Sequence, residues 1–210
     1  MTVWAIVVAA GDGVRFGGPK AAVVLAGRRV VDWSLEAARS VAEGVVLVVA
    51  PGEEGGAVPG ADQVVAGGAT RSASVRAGLA AVPATASIVV VHDAARPAAG
   101  AALFRAVVEA VGGGAQGAVP GIEVVDTVKR VGAGGVVVET LDRSALIAVQ
   151  TPQAFAADWL RRAHAGGADA GDDATLVEQL GGKVVVVPGD LRNRKLTTPD
   201  DLGPLAEALG

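Results

Sequence analysis

The sequence predicts an α/β fold built on an open, mostly parallel sheet with helices on both faces and an inserted β-hairpin arm. Valine-rich runs at Val3–Val8, Val45–Val49, Ile88–Val91 and Val184–Val187 are apolar at successive positions, as strands are when both faces of a parallel sheet are covered. Amphipathic stretches separate these runs, and a strand–helix–strand order winds into right-handed crossovers. The arrangement is Rossmann-like, and 210 residues suit one domain, 1–210.

The first strand, Val3–Val8, runs into a glycine-rich stretch, Ala9–Lys20. The segments Val30–Ala42, Arg71–Val82 and Ala102–Val111 carry apolar residues at helical spacing and alternate with the strands. Val124–Ser144 breaks the alternation with two β-like runs around Gly132–Gly135, which predicts a hairpin. Such a hairpin either extends the main sheet or projects toward a second copy of the chain. At the end, Thr198 stands as N-cap, Pro199 at the first helical position and Asp201 in the capping-box place. Leu202, Leu205, Ala206 and Leu209 then share one face of a terminal helix.

Composition removes several function classes. Lys and Arg number 18 against 22 Asp and Glu, a net charge of −4, so no general basic field is available to grip a nucleic acid. Aromatic residues are 3% with no Tyr, which removes stacking platforms for single strands. Cysteine is absent, excluding disulfides, thiol catalysis and Cys-ligated zinc. The N-terminus lacks a basic leader, and charged residues, Gly or Pro interrupt every apolar run before membrane-spanning length. A cytoplasmic protein with no membrane partner is expected.

The chemistry-bearing residues begin with AAGDGVRFGGPK. A glycine-rich loop at a strand's carboxyl end lets backbone N–H groups approach phosphates, and Arg15 and Lys20 add positive charge there. It is not a Walker loop, because Lys20 lies between Pro19 and Ala21. It fits a dinucleotide fingerprint poorly, since Gly11-x-Gly13 leads to Gly17 and Gly18, so a dehydrogenase is a weak alternative. VHDAARP places Asp93 and Arg96 at a later strand end, where ligands meet open sheets. Asp93 would there hold Mg²⁺ or a substrate hydroxyl. Gly67 and Gly68 lead into a helix start whose backbone and Ser74 can take a base or ribose. LRNRKLT gathers three cations as the densest positive patch, whereas Asp172 and Asp173 read as charges at a helix N-terminus rather than a metal pair. His92 and His164 show no ligand spacing, and the three Trp read as core.

The motifs AAGDGVRFGGPK, GGATRSASV, VHDAARP, VVDTVKR, LDRS, TPQAF and NRKLTTPDDL, in this order and nearly end to end, resemble the 2-C-methyl-D-erythritol 4-phosphate cytidylyltransferases of non-mevalonate isoprenoid synthesis. The resemblance implies CTP and a polyol phosphate as substrates, diphosphate as by-product, Mg²⁺ or another divalent cation, and a homodimer whose arms, 122–150, complete each other's sites. It implies that Arg15 and Lys20 stabilise charge at the α-phosphate, and that Arg143 and Lys195 orient the polyol phosphate. Asp93 and Thr127 contact that substrate in this reading. Ala9, Ala10, Gly11, Gly13, Gly68, Ser74 and Ala94 bind the nucleotide, and the metal-holding residues stay unassigned. Ala69, Gly171 and Arg194 depart from the family's usual residues. A cytidylyltransferase for another polyol phosphate, such as ribitol 5-phosphate, and a nucleotide-binding module without turnover are the alternatives. No second enzyme of the pathway is expected behind the helix ending near Gly210.

Overall fold

The computed structural model describes residues Met1–Gly210. Its strands are β1 (Val3–Val8), β2 (Val24–Leu25), β3 (Arg28–Arg29), β4 (Gly44–Val49), β5 (Gln63–Ala66), β6 (Ile88–Asp93), β7 (Gly117–Glu123), β8 (Lys129–Val131), β9 (Val137–Thr140), β10 (Ile147–Val149), β11 (Gln153–Ala156) and β12 (Val184–Pro188). Its helices are α1 (Val30–Arg39), α2 (Arg71–Ala81), α3 (Ala101–Gly112), α4 (Ala157–Ala165), α5 (Asp173–Gln179) and α6 (Leu202–Leu209).

Strands β5, β4, β1 and β6 run parallel in that order. The β10–β11 run then turns antiparallel between β6 and β7, and β12 pairs parallel with the outer side of β7. The sheet is therefore open and mostly parallel, as the valine runs predict. Alternate residues of β1 serve opposite faces. Val3, Ala5 and Val7 join α1 and α3 in one core cluster, and Ile6 joins α2, α4 and α5 in the other. Burying apolar side chains on both faces is the main source of stability here, at roughly 25 cal/mol per Å². Gly78 lets α2 lie close on the sheet, because a Cβ there would stand 2.6 Å from Ile6 Cγ2.

A third cluster, Leu25, Val30, Leu196 and Leu205, lies beneath α6. The end of the chain follows its sequence closely. Thr198 and Asp201 form the capping box around a short 3₁₀ turn, and Leu205 is fully buried. The hairpin forms β8 and β9 around a 3₁₀ turn at Ala133–Gly135, as a separate two-stranded sheet in which every strand residue is exposed. The flanking parts of 122–150 rejoin the body, since β10 pairs β7. One expectation changes: β12 is an edge strand with Val186 exposed, not a strand covered on both faces. No helix is long and apolar enough to cross a membrane.

Candidate active site

The carboxyl ends of β1 and β6, the loop after β1 and the start of α2 enclose a cleft of about 320 Å³. Nine of the residues singled out from the sequence line it: Ala9, Ala10, Gly11, Lys20, Gly68, Ser74, Asp93, Ala94 and Lys195. Gly13 shapes the loop from within. Its φ of +66° is a left-handed conformation, its carbonyl accepts from the N–H groups of Phe16, Gly17 and Gly18, and an added Cβ would collide with the Gly18 carbonyl. Ser74 is buried, and its hydroxyl bonds Gly68 N–H at 3.1 Å and Thr70 O at 3.0 Å, so it braces the glycine turn at the cleft.

Arg15 is exposed on the loop and does not line the cleft, although its charge acts on Lys20. Thr127 and Arg143 are exposed on the arm and line neither cavity of their own chain. Of the basic run, only Lys195 reaches the cleft. Arg192 pairs with Asp190 at 2.9 Å, and Arg194 faces Asp201 at 3.9 Å. The expected three-cation patch is thus one cation and two local ion pairs.

Asp93 is the hub. Arg71 Nε donates to its Oδ1 at 2.9 Å and Lys195 Nζ to its Oδ2 at 2.7 Å. Burial alone would raise its pKa, but these two cations hold the carboxyl well below the usual range. Each carboxylate oxygen of Asp93 thus accepts from one cation, and no group of three His, Cys, Asp or Glu side chains is placed to hold a metal. Lys20 shows the opposite balance. Burial, then the charges of Lys195 and Arg15, push its ammonium below the ordinary value, while Asp93 and Asp12 act against that shift.

A second cavity of about 420 Å³ shares Arg71, Asp93 and Lys195 with the first, and adds Arg96, Gln150, Thr151, Gln153 and Asp172. Thr151 Oγ1 accepts from Asp93 N–H at 3.1 Å and lies 3.0 Å from His92 Nδ1, tying the TPQ segment to the strand end. Burial pushes the His92 imidazole from 6.5 down to about 4; the nearby Asp93 acts against this shift and Arg96 with it. His92 thus stays neutral in the folded chain while the unfolded chain takes up a proton. Stability is expected to fall as pH drops from about 6.5 to about 4, by up to roughly 1.4 kcal/mol per pH unit. Urea titrations across that window check this: the wild type should lose stability faster than His92→Asn, and equal slopes would refute it.

Sequence reading missed Arg71, Thr151 and the burial of Asp173. The signal for Arg71 was present, because a cation in the first turn of a helix opposes the helix dipole and needs another reason to be there. Asp172 does cap α5, accepting from Thr175 N–H at 3.0 Å, but Asp173 is fully buried against Arg71 and His164. Among the departures, Ala69 lines the first cavity and Gly171 the second, while Arg194 is exposed. The three Trp are half-buried rather than fully core.

An open α/β sheet whose strand ends carry a glycine-rich loop and converging cations defines a protein of the nucleotidyltransferase class. The family model described as 2-C-methyl-D-erythritol 4-phosphate cytidylyltransferase, IspD, matches residues 3–209, and the chain belongs to that family. It is 48% identical to the 2-C-methyl-D-erythritol 4-phosphate cytidylyltransferase of Nocardia farcinica, over 99% of this chain and 94% of that one. It is 45% identical to a bifunctional IspD/IspF enzyme of Clavibacter michiganensis over 94% of this chain, but spans only 52% of that relative. The crystal structure of the Thermus thermophilus cytidylyltransferase superposes with a TM-score of 0.83 at 39% identity, covering 100% and 98% of the two chains.

Proposed function

We infer that the chain, as a homodimer with exchanged arms in the cytoplasm, moves the cytidylyl group of CTP onto 2-C-methyl-D-erythritol 4-phosphate, releasing diphosphate for isoprenoid synthesis. The observation that carries the reading is the cluster of Lys20, Lys195 and Arg71 about the Asp93 carboxylate, at the mouth of a glycine-rich loop. Two polyanions must meet there, and the first cleft takes the nucleotide while the second, polar cavity takes the polyol phosphate.

The acceptor's phosphate, with a second pKa near 6, is largely dianionic at neutral pH. Its oxygen forms a bond to the α-phosphorus, the bond to the bridging oxygen breaks, and diphosphate leaves with the electron pair, so no base is required. Loop N–H groups and Lys20 stabilise the charge on the α-phosphate, and Arg15 extends that field toward the departing diphosphate. Lys195 and Asp93 hold the acceptor, by charge and by hydrogen bonds to its hydroxyls.

A Mg²⁺ ion bound with CTP fits an oxygen set made of triphosphate oxygens, water and the Asp12 carboxylate on the cleft wall, as is usual for this hard cation. It would supply charge neutralisation on the triphosphate. Exchange of arms is supported by the exposed valines of the hairpin and by the absence of Thr127 and Arg143 from the lining of their own chain's cavities. Burying such apolar surface against a second copy is favourable.

The reading is tested by diphosphate release with CTP and Mg²⁺, comparing methylerythritol 4-phosphate, ribitol 5-phosphate and no acceptor. Release with the first alone is expected. Preference for ribitol phosphate would move the chain to the other activity, and silence with both would leave a binding module. Arg143→Ala should raise KM for the polyol phosphate about tenfold or more while leaving the melting temperature unchanged, since the side chain is exposed. Unchanged kinetics would argue against arm-completed sites.

A further inference from the structure

Asp173 is the first residue of α5 and fully buried, yet it lines neither cavity. Burying a carboxylate is costly unless it is paired and hydrogen-bonded. Here Arg71 Nη1 donates to Oδ2 at 2.8 Å, and His164 Nε2 lies 2.9 Å from Oδ1. Because a carboxylate only accepts, His164 carries its proton on Nε2, and α4 thereby holds Asp173 from behind. Arg71 is clamped between two carboxylates: Nη1 on Asp173 and Nε on Asp93. Its remaining nitrogen, Nη2, is buried without a protein partner, in a side chain that lines both cavities. A planar guanidinium holds two carboxylates in one fixed geometry, and a lysine, with a single ammonium, cannot do this.

We propose that Asp173 is a positioning residue: by holding Nη1 of Arg71 it fixes the Asp93 carboxylate in the orientation that meets the acceptor. This rests on the reaction assigned above. Asp172 supports the same geometry next door, since it accepts from Gln153 Nε2 at 2.8 Å and keeps α5 against the TPQ segment.

The test uses the full chain with Asp173→Asn, which keeps shape and removes charge. Expected are a KM for the polyol phosphate raised about tenfold, with KM for CTP and kcat each within about threefold, as for loss of a charge-assisted hydrogen bond. A general loosening of the fold would move both KM values together. In parallel, the ¹⁵N resonance of Arg71 Nε–H, protected in the wild type, should broaden in the variant. Unchanged polyol KM together with an unchanged resonance overturns the proposal. If Asp173→Asn does not fold, Arg71→Lys serves instead: the same selective rise supports the clamp, and unchanged KM overturns it. Should the wild type not use methylerythritol phosphate while the resonance still depends on Asp173, the clamp stands and the reaction assignment falls.

Discussion

Lys20→Ala is expected to lower kcat/KM by about three orders of magnitude, the scale on which a preorganised donor to a developing negative charge contributes. The expectation comes from how uncomfortable this ammonium is in the ligand-free cleft. Partial burial and the neighbouring charges of Lys195 and Arg15 all disfavour its charged form. A triphosphate arriving in the cleft neutralises Lys20, Lys195 and Arg15 together. The same reasoning fixes the sign of a second observable. Removing Lys20 relieves repulsion, so the melting temperature should hold or rise slightly, unlike that of a lysine retained for the fold. Steady-state kinetics and calorimetry on the purified variant decide the matter; a loss under tenfold, about 1.4 kcal/mol, would contradict the role.

Asp93→Ala should be damaging in a different way. With the carboxylate gone, Arg71 and Lys195 face each other in a partly buried site, and Arg71 keeps only Asp173 as counter-charge. Breaking a buried pair from one side typically costs about 3–5 kcal/mol, so the variant should be both inactive and markedly less stable in urea. A pH effect follows from the same contacts. Because the folded-state pKa of Asp93 is depressed, its stabilisation is fully present above the unfolded value near 3.9 and is lost as pH falls below about 4. That window lies on the acid side of the one set by His92. A stability loss of less than about 1 kcal/mol in Asp93→Ala would mean the ion pairs contribute nothing net.

Much of the frame was legible because it rests on periodicity. Val3–Val8 is a strand at those bounds, and α1, α2 and α3 start within one residue of their predicted positions. The less regular half was not legible. β7 carries two glycines and a proline in seven residues, β11 is four residues long and starts with Gln, and β11 runs antiparallel to both of its neighbours in a mostly parallel sheet. Such strands are specified by neighbours rather than by local pattern. The candidate site divides in the same way. Loop residues such as Gly11 and Lys20 announce themselves by spacing, whereas Arg71 and Asp173, 102 positions apart, gain meaning only when α2 and α5 meet. Thr127 and Arg143 line neither cavity of their own chain and had only the family resemblance behind them.

The anchoring of Lys195 bears on how the molecule comes into being. Its neighbour Leu196 is fully buried and donates its N–H to Ala95 O at 2.7 Å, and Asn193 O accepts from Arg96 at 2.8 Å, so the segment after β12 is stitched directly onto the end of β6. The glycine-rich loop leaves the ribosome well before this segment. Until it docks, Asp93 lacks one of its two cations and the cleft lacks a wall. Closing so long a loop is slow relative to local structure. Nascent chains therefore carry the nucleotide loop without a finished site until the segment after β12 has emerged and docked.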